Sequence, residues 1–312
     1  MKIPKILVLT VCSFFAAALF AGPHLIAQNL TLEGQTGGFI TPTAYVVYAE
    51  KGHFFSHPAL GYHFVNSHKV IGDIHTFSIE EGFANRAEVG YTRSVHHEGD
   101  SAMFSSLWHY AGMNIFNGKV VAVKDGQGSP FTPGLAAGFV VRTGDHFVTG
   151  AIDGKTYNNE DFYAAVTKTW LHAPLPFLAN FGFKVTNANV FGIAGEATGY
   201  KGRLFGGLGI PIPGPFHTAI VPAVGFTQEP RTSKNISALL FPPGSQAHVP
   251  TTLDYAVRIT QRDNPHFAFD IGVGQVAGQI GTTAILTPRG PVFIPVNLEA
   301  RSVVGVGLSL RY

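Results

Sequence analysis

The sequence predicts an all-β protein, an antiparallel up-and-down transmembrane β-barrel of about twelve strands within a range of ten to fourteen. Three observations predict it. Apolar and polar residues alternate with a period of two along about twelve segments. The linkers between these segments alternate between short and long. Beyond the first 21 residues, no apolar stretch reaches the ~18 residues that a spanning helix requires. The charged content of 13% also lies below the ~25% of an ordinary soluble domain.

Residues 1–27 are typical of a secretory signal peptide. Lys2 and Lys5 precede an apolar run over residues 6–21, and cleavage is expected after residue 27. The run is shorter than the ~20 residues of a membrane-spanning helix, so export without a permanent anchor is the favoured interpretation.

The mature chain is neutral and lacks cysteine. Cys12 is the only cysteine, and it lies in the signal segment, so no disulfide is predicted. Removal of the two signal-peptide lysines leaves 19 basic residues against 19 acidic ones. This balance argues against a nucleic-acid partner, which requires a basic surface.

Residues 28–51 precede the first predicted strand, and residues 52–312 form the predicted barrel. The short motif Gly37, Gly38, Pro42 and Thr43 is typical of a non-strand segment, because proline and glycine favour turns. Two interpretations stay open: a partial plug in or under the barrel, or a periplasmic lead-in.

The predicted strands have the length of membrane strands. A tilted transmembrane strand needs ~9 to 11 residues, whereas a strand in a soluble sheet averages ~5 to 6. The segments are Gly52–Val65, His68–Glu80, Arg86–His97, Tyr110–Lys124, Pro133–Thr143, Glu160–Leu171, Phe177–Asn187, Tyr200–Ile210, Phe216–Gln228, Thr251–Arg262, His266–Ala277 and Leu298–Tyr312.

The linkers predict the orientation of the barrel. Short linkers are typical of periplasmic turns and long ones of extracellular loops, so an even number of strands places both termini in the periplasm. A hairpin turning at Asn66 and Ser67 is the one exception. A second interpretation of residues 280–296 is an extra hairpin outside the membrane, turning at Pro288-Arg289-Gly290-Pro291. The short linkers are 81–85, 125–132, 172–176, 211–215 and 263–265, and the long ones are 98–109, 144–159, 188–199, 229–250 and 278–297.

The end of the chain predicts assembly into the outer membrane. Gly305, Gly307, Leu310 and Tyr312 belong to an alternating strand that ends on an aromatic residue. This ending resembles the C-terminal β-signal of bacterial outer-membrane barrels and implies the barrel-assembly machinery as a partner. Because lipid cannot satisfy backbone N–H and C=O groups, this strand must pair with the first one.

Charged residues on the predicted strands are expected to face the lumen. A lysine or arginine facing lipid near the midplane costs ~2 to 4 kcal/mol. The lumenal charges either shape the electric field in a pore or cross-link a filled barrel, and both interpretations stay open. The predicted lumenal charges are Arg86, Glu88, Lys168, Lys184, Asp254, Arg258, Arg262 and Asp270.

Two motifs resemble a known family. Gly37 to Ala44 reads Gly-Gly-Phe-Ile-Thr-Pro-Thr-Ala, and Glu81 to Tyr91 reads Glu-Gly-Phe-Ala-Asn-Arg-Ala-Glu-Val-Gly-Tyr. Together they resemble the opening of YjbH-like outer-membrane proteins over about residues 33–92. The resemblance implies a role in exopolysaccharide production or export, with polysaccharide or export partners.

The sequence favours a non-enzymatic pore or envelope component in the outer membrane of a Gram-negative-type bacterium, in contact with outer-membrane lipid and without a cofactor. It contains no nucleophile elbow, P-loop or zinc-helix motif. Adjacent His96 and His97 point to opposite faces of a strand, so no metal site is predicted there. Two alternatives stay open: an enzyme acting on lipid or peptide through Ser94, His96 and Asp100, or a surface adhesin or receptor using loops 229–250 and 278–297.

Overall fold

The computed structural model describes residues 29–66, 72–97, 99, 112–144, 158–171, 173–192, 196–231, 251–262, 266–277, 279–297 and 302–311. The predicted signal peptide, Ser67, Tyr312, and most of loops 98–109 and 229–250 lie outside these residues. The strands in chain order are β1 (Asn29–Leu30), β2 (Thr36–Gly37), β3 (Ala59–Asn66), β4 (Asp73–Phe83), β5 (Ala87–His97), β6 (Met113–Val123), β7 (Gly134–Gly144), β8 (Asn158–Trp170), β9 (Phe177–Ala188), β10 (Glu196–Gly209), β11 (Ile212–Pro213), β12 (Thr218–Gln228), β13 (Thr251–Gln261), β14 (Phe267–Ala277), β15 (Gln279–Thr287), β16 (Gly290–Asn297) and β17 (Ser302–Arg311).

Twelve strands form one closed antiparallel barrel: β3 to β10, β12 to β14, and β17. Each pairs with its neighbour in the chain order, and β10 pairs with β12. The last strand closes the barrel on the first, with Val304 opposite Asn66 and Arg311 opposite Ala59. Closure leaves no unpaired edge, which is what a hydrocarbon environment demands. The predicted fold class and strand number are therefore confirmed.

The two-residue alternation places apolar side chains on the outer surface. Because successive residues of a strand point to opposite faces, each barrel strand presents one row outward and one row inward. The outward row is exposed and rich in phenylalanine, valine and leucine. Members of this outer belt include Phe77, Ile79, Val89, Phe116, Phe139, Phe162, Phe181, Leu204, Leu208, Val224, Val257, Ile271 and Val304.

The two rims of the barrel differ in their connections. At one rim, called here the turn rim, short segments join β4 to β5, β6 to β7, β8 to β9, β10 to β12 and β13 to β14. The first of these is a three-residue turn in which Ala84 and Asn85 have φ values of 51° and 54°, the positive values of a type I′ turn. The barrel strands begin at Ala59 and end at Arg311 on this same rim. The opposite end is called the loop rim.

Residues 279–297 form a separate hairpin. β15 pairs only with β16, and their turn passes through Gly290 at a φ of 109°. The extra hairpin of the second interpretation is therefore present, and it adds no strand to the barrel. The first barrel strand also begins later than predicted, at Ala59 rather than Gly52, because the preceding residues form only an isolated bridge between Phe55 and Phe83. No helix in the described part of the chain is long and apolar enough to cross a membrane.

Candidate functional site

The interior of the barrel is filled by residues 29–49, called here the plug. Leu30, Thr31, Thr36 and Val47 are all fully buried. The plug enters and leaves at the turn rim: β1 and β2 pair as a small hairpin, and Ala49 exchanges hydrogen bonds with Asn85 in the β4–β5 turn. Of the two sequence interpretations, the structure places this segment inside the barrel.

One anchor of the plug is a buried ion pair between β5 and β6. Lys119 Nζ lies 2.9 Å from Glu88 Oε1, and both side chains are fully buried. Glu88 also accepts hydrogen bonds from the backbone N–H groups of Thr36 and Val47, at 3.0 and 2.9 Å. Lys119 donates to the carbonyl of Thr36 at 2.8 Å. The Glu88 carboxylate on the barrel wall therefore binds two separate stretches of the plug.

The tip of the plug is held deeper in the lumen by Arg142 on β7. Its guanidinium binds both oxygens of Glu33, at 2.5 and 2.8 Å, and Asp161 on β8 at 2.8 Å. The Arg142 side chain is fully buried. Two-oxygen arginine pairs of this kind are directional as well as strong. The Glu33 carbonyl also accepts a hydrogen bond from Thr92 Oγ1 at 3.0 Å.

A third anchor joins the start of the plug to β13 and β14. Arg258 binds both oxygens of Asp270 at 2.9 Å and the Gly37 carbonyl at 3.0 Å. Asn29 donates to Asp270 at 2.5 Å. Gly305 on the neighbouring β17 leaves room for the plug, because a Cβ atom there would lie 2.6 Å from the ring of Phe39.

At the turn rim, Tyr45 fastens the plug to the β6–β7 connection. Its hydroxyl donates to Asp125 at 2.6 Å and lies 2.6 Å from Thr169 Oγ1. Burial, with the nearby Asp125 charge, raises the pKa of Tyr45 far above its usual range, so the hydroxyl stays protonated. A cavity of about 260 Å³ opens beside this contact, between Tyr45, Tyr48 and Lys124.

At the loop rim, a turn folds inward over the plug. Val190 and Phe191 have positive φ values of 44° and 57°, and Phe191 packs on Phe39 and Ile40 of the plug. Glu229 accepts a hydrogen bond from the Val190 N–H at 3.1 Å. Burial raises the pKa of Glu229 to about 7, although Lys184 Nζ lies 3.9 Å away and opposes the shift. The plug is therefore covered from the loop rim as well.

The predicted lumenal charges fall into two groups. Five lie buried in the interior: Glu88, Lys184, Asp254, Arg258 and Asp270. The other three do not project into the lumen from a strand. Arg86 lies in the β4–β5 turn and donates to the carbonyl of Ala122. Arg262 follows the end of β13.

Lys168 corrects the sequence prediction most clearly. It belongs to the outward row of β8 with Phe162 and Val166, which are 54% and 40% exposed. Its side chain is nevertheless buried because it reaches the rim and meets Asp125 at 2.6 Å. A long lysine side chain near a strand end can thus leave the outer surface without entering the lumen.

The sequence reasoning missed Lys119, Arg142, Asp161 and Glu33. The first three lie within or at the edge of predicted strands, so the rule that selected the other charges would also have selected them. Glu33 had no comparable signal, because the cation that binds its carboxylate, Arg142, lies 109 residues away in the sequence.

The remaining predicted residues are placed as follows. Gly37, Gly38, Pro42 and Thr43 belong to the plug, and Asn180 donates to the Pro42 carbonyl at 2.9 Å. Gly305 and Gly307 lie on the inward row of β17, and Leu310 lies opposite Leu60 of β3.

For the enzyme and metal hypotheses, Ser94 and His96 lie on the inward row of β5, whereas His97 is exposed and Asp100 lies outside the described residues. Within the described ranges, no cluster of three or more histidine, cysteine, aspartate or glutamate side chains has metal-binding geometry.

A family model described as "Protein of unknown function (DUF3034)" matches residues 27–203, more than half of the chain. The chain belongs to the DUF3034 family. The match includes the plug and the barrel strands β3 to β9, and it ends within β10. It also contains the region of resemblance to YjbH-like proteins, whose implied exopolysaccharide role stays a prediction. No curated protein sequence matches the chain.

Several solved outer-membrane barrels are similar to this chain. They include a KdgM porin in complex with disordered oligogalacturonate, with a TM-score of 0.45 and 9% identity over 81% of this chain and 99% of the porin. The NanC porin has a TM-score of 0.45 and 7% identity over 81% of this chain and 100% of the porin. The β domain of the Bordetella autotransporter BrkA has a TM-score of 0.38 and 11% identity over 82% and 99% of the two chains. The barrel assignment itself follows from the strand pairing of this chain.

Proposed function

We propose that this protein is a non-enzymatic outer-membrane barrel of a Gram-negative-type bacterium whose lumen is closed by its own N-terminal segment. The observation that carries the proposal is the burial of residues 29–47 inside the barrel, where interior charges bind them. Solutes pass only when this plug shifts.

The outer belt supports a membrane location. Rows of exposed phenylalanine, valine and leucine on a closed sheet match a lipid-facing surface. Both ends of the barrel chain lie at the turn rim, and in our proposal this rim faces the periplasm. The plug then enters from the periplasmic side, and the Val190–Phe191 turn covers it from outside.

The interior charges favour a filled barrel over an open pore. Charges that line a water-filled pore face solvent, whereas Glu88, Lys119 and Arg142 are fully buried and bonded to the plug or to each other. An ion that enters the lumen would have to replace these contacts. These contacts support the cross-linking interpretation of the lumenal charges.

Planar-bilayer recording tests the proposal. We expect wild-type protein, folded and inserted, to give no large conductance steps. Glu33→Ala removes the tip contact while leaving Arg142 paired with Asp161, so it should produce frequent openings. Large, steady openings in the wild type would contradict a closed barrel.

A disulfide lock separates plug movement from damage to the barrel. A Cβ atom at Gly134 would lie 3.4 Å from Ala44 Cβ, and one at Gly61 would lie 3.5 Å from Leu30 Cβ, close to the separation that a disulfide needs. Adding the Ala44→Cys/Gly134→Cys pair to Glu33→Ala should suppress the openings under oxidation, and a reductant should restore them. The Leu30→Cys/Gly61→Cys pair serves as a second lock. Openings that persist with the lock closed would arise from somewhere other than the plug.

The exopolysaccharide role is a further part of the proposal and rests on the resemblance over residues 33–92. It is tested by deleting the gene in a polysaccharide-producing host and measuring exported polysaccharide. Unchanged export with an unaffected surface coat would remove this part and leave the plugged barrel intact.

A further inference from the structure

The plug is bonded unevenly to the barrel wall. The plug is hydrogen-bonded to β5 to β9, β13, β14, β17 and the turns, whereas β10 and β12 line a cavity beside it. On these two strands Gly207 and Gly225 face the lumen directly opposite each other. Between them and plug residues 37–43 lies a cavity of about 60 Å³, room for a few water-sized occupants at roughly 10–15 Å³ each.

Asp254 on β13 lines this cavity. The residue is only 4% exposed to solvent, and its Oδ1 atom has no hydrogen-bond partner in the described part of the chain. Its cross-strand neighbours are Gly225 on β12 and Gly274 on β14. Neither neighbour has a side chain to satisfy the carboxylate, so the carboxylate is available to an occupant of the cavity.

With the Asp254 carboxylate ionised, the charge balance of the cavity is negative. Arg258 is the cation that lines it, and its guanidinium is already bound to both oxygens of Asp270 and to the Gly37 carbonyl. Asp254, Arg258 and Asp270 are the charged residues that line the cavity within the described ranges, so one negative charge is left over. Burying an ionised carboxylate without a partner is costly, and a cation in the cavity removes that cost.

We propose that the cavity is a binding site for a small monovalent cation, coordinated by the Asp254 carboxylate together with water. The site offers one uncompensated carboxylate, whereas Ca²⁺ sites use six to eight oxygen ligands that usually include several carboxylates. The cation lies between the plug and the glycine-lined wall, so its binding stabilises the seated plug. This site is independent of what the barrel transports.

Unfolding of the folded barrel in the presence of Rb⁺ tests the site. Urea unfolding midpoints are measured at constant ionic strength while RbCl replaces N-methylglucamine chloride, whose cation is too large for the cavity. A ligand that binds only the folded state raises the midpoint in a saturating way. We expect such a rise for the wild type, its loss in Asp254→Asn, and its retention in Asp73→Asn, a control at the loop-rim end of β4.

Gly225→Ala is a second variant in case Asp254→Asn does not fold. A Cβ atom at residue 225 would overlap Asp254 Oδ1, so this change displaces the carboxylate without removing it. The Rb⁺ concentration that gives half of the rise in midpoint should increase at least tenfold. A crystal grown with RbCl should show an anomalous peak next to Asp254. A wild-type midpoint that does not respond to Rb⁺ would overturn the proposal. A higher midpoint for Asp254→Asn in that case would show that the wild-type carboxylate is protonated. Because the assay measures binding, its result does not depend on whether the bilayer recordings support a closed barrel.

Discussion

The plug lies between two unlike walls. On one side, β5 to β9 bind it through buried charges. Glu88 and Lys119 bind the base of the plug, at Thr36 and Val47, and Arg142 binds its tip at Glu33. On the other side, β10 and β12 face it with glycines across a cavity. We call these the charged wall and the glycine wall. If the plug shifts as proposed, we expect it to stay attached to the charged wall while space opens first along the glycine wall.

The family match follows the same division. It spans residues 27–203, which include the plug and the whole charged wall, and it ends before the glycine wall is complete. The matched segment is therefore the plug together with the wall that binds it. The first three predictions below test whether the two walls differ as described, beginning with the largest effect, and a fourth concerns the loop rim.

Arg142→Ala should be the most damaging single change on the charged wall. It leaves the carboxylates of Glu33 and Asp161 buried and close together without a cation, and breaking such a buried pair costs about 3–5 kcal/mol. The measurement is the free energy of unfolding in urea after folding into lipid vesicles. Lys201→Ala, at an exposed position on β10, should change it by less than about 0.5 kcal/mol. Equal losses for the two variants would remove the distinction between the walls.

Glu88→Gln should destabilise the protein by about 2–3 kcal/mol, because it removes the charge partner of buried Lys119 and weakens the bonds from Thr36 and Val47. It should also expose the plug base to proteases added at the turn rim. Cleavage rates within residues 29–49 measure this. A variant that loses stability while its plug stays protected would show that Glu88 supports the wall and not the plug.

A methyl group should be tolerated less well on the charged wall than on the glycine wall. At Gly182 on β9 a Cβ atom would overlap the ring of buried Phe205, whereas at Gly207 the nearest atom would be the Val224 carbonyl oxygen at 3.0 Å, a milder contact. We expect Gly182→Ala to cost about 1–3 kcal/mol and Gly207→Ala less than about 1 kcal/mol. If the order of the two is reversed, the glycine wall is the more tightly packed one.

The Glu229 carboxyl at the loop rim should make the free energy of unfolding depend on pH. Its pKa is raised by burial to about 7 in the folded protein and lies near 4.3 in the unfolded chain, so the folded state binds the extra proton between these values. Stability should therefore fall as the pH rises from about 4.5 to 7. Glu229→Gln should flatten this slope in urea titrations. An unchanged slope would assign it to other groups.

Much of the barrel could be predicted from the sequence. Each of the twelve predicted strands corresponds to a barrel strand. The two-residue alternation is a local property, because a lipid-facing sheet requires an apolar residue at every second position of each strand. The exceptions had local causes. Gly52 to Pro58 contain strand-like residues but lack a partner strand beyond one bridge, and Lys168 follows the alternation yet bends away to Asp125.

The site depended on information that the sequence does not carry locally. Glu33 meets Arg142 across 109 residues of chain, and Arg258 meets Gly37 across 221. Alternation indicates which face a charge occupies but not which distant residue it binds. The C-terminal strand shows the same limit, because Gly305 is also needed to accommodate Phe39 of the plug.

By itself, the sequence determined the class of fold, the approximate number of strands and the rows that face outward, because lipid imposes a repeating constraint on consecutive residues. Only the tertiary structure decided that the lumen is filled, that its charges bind the chain's own N-terminal segment, and that Asp254 Oδ1 has no hydrogen-bond partner among the described residues. Those outcomes depend on which strands become neighbours when the sheet closes, and closure brings together residues that no local pattern connects.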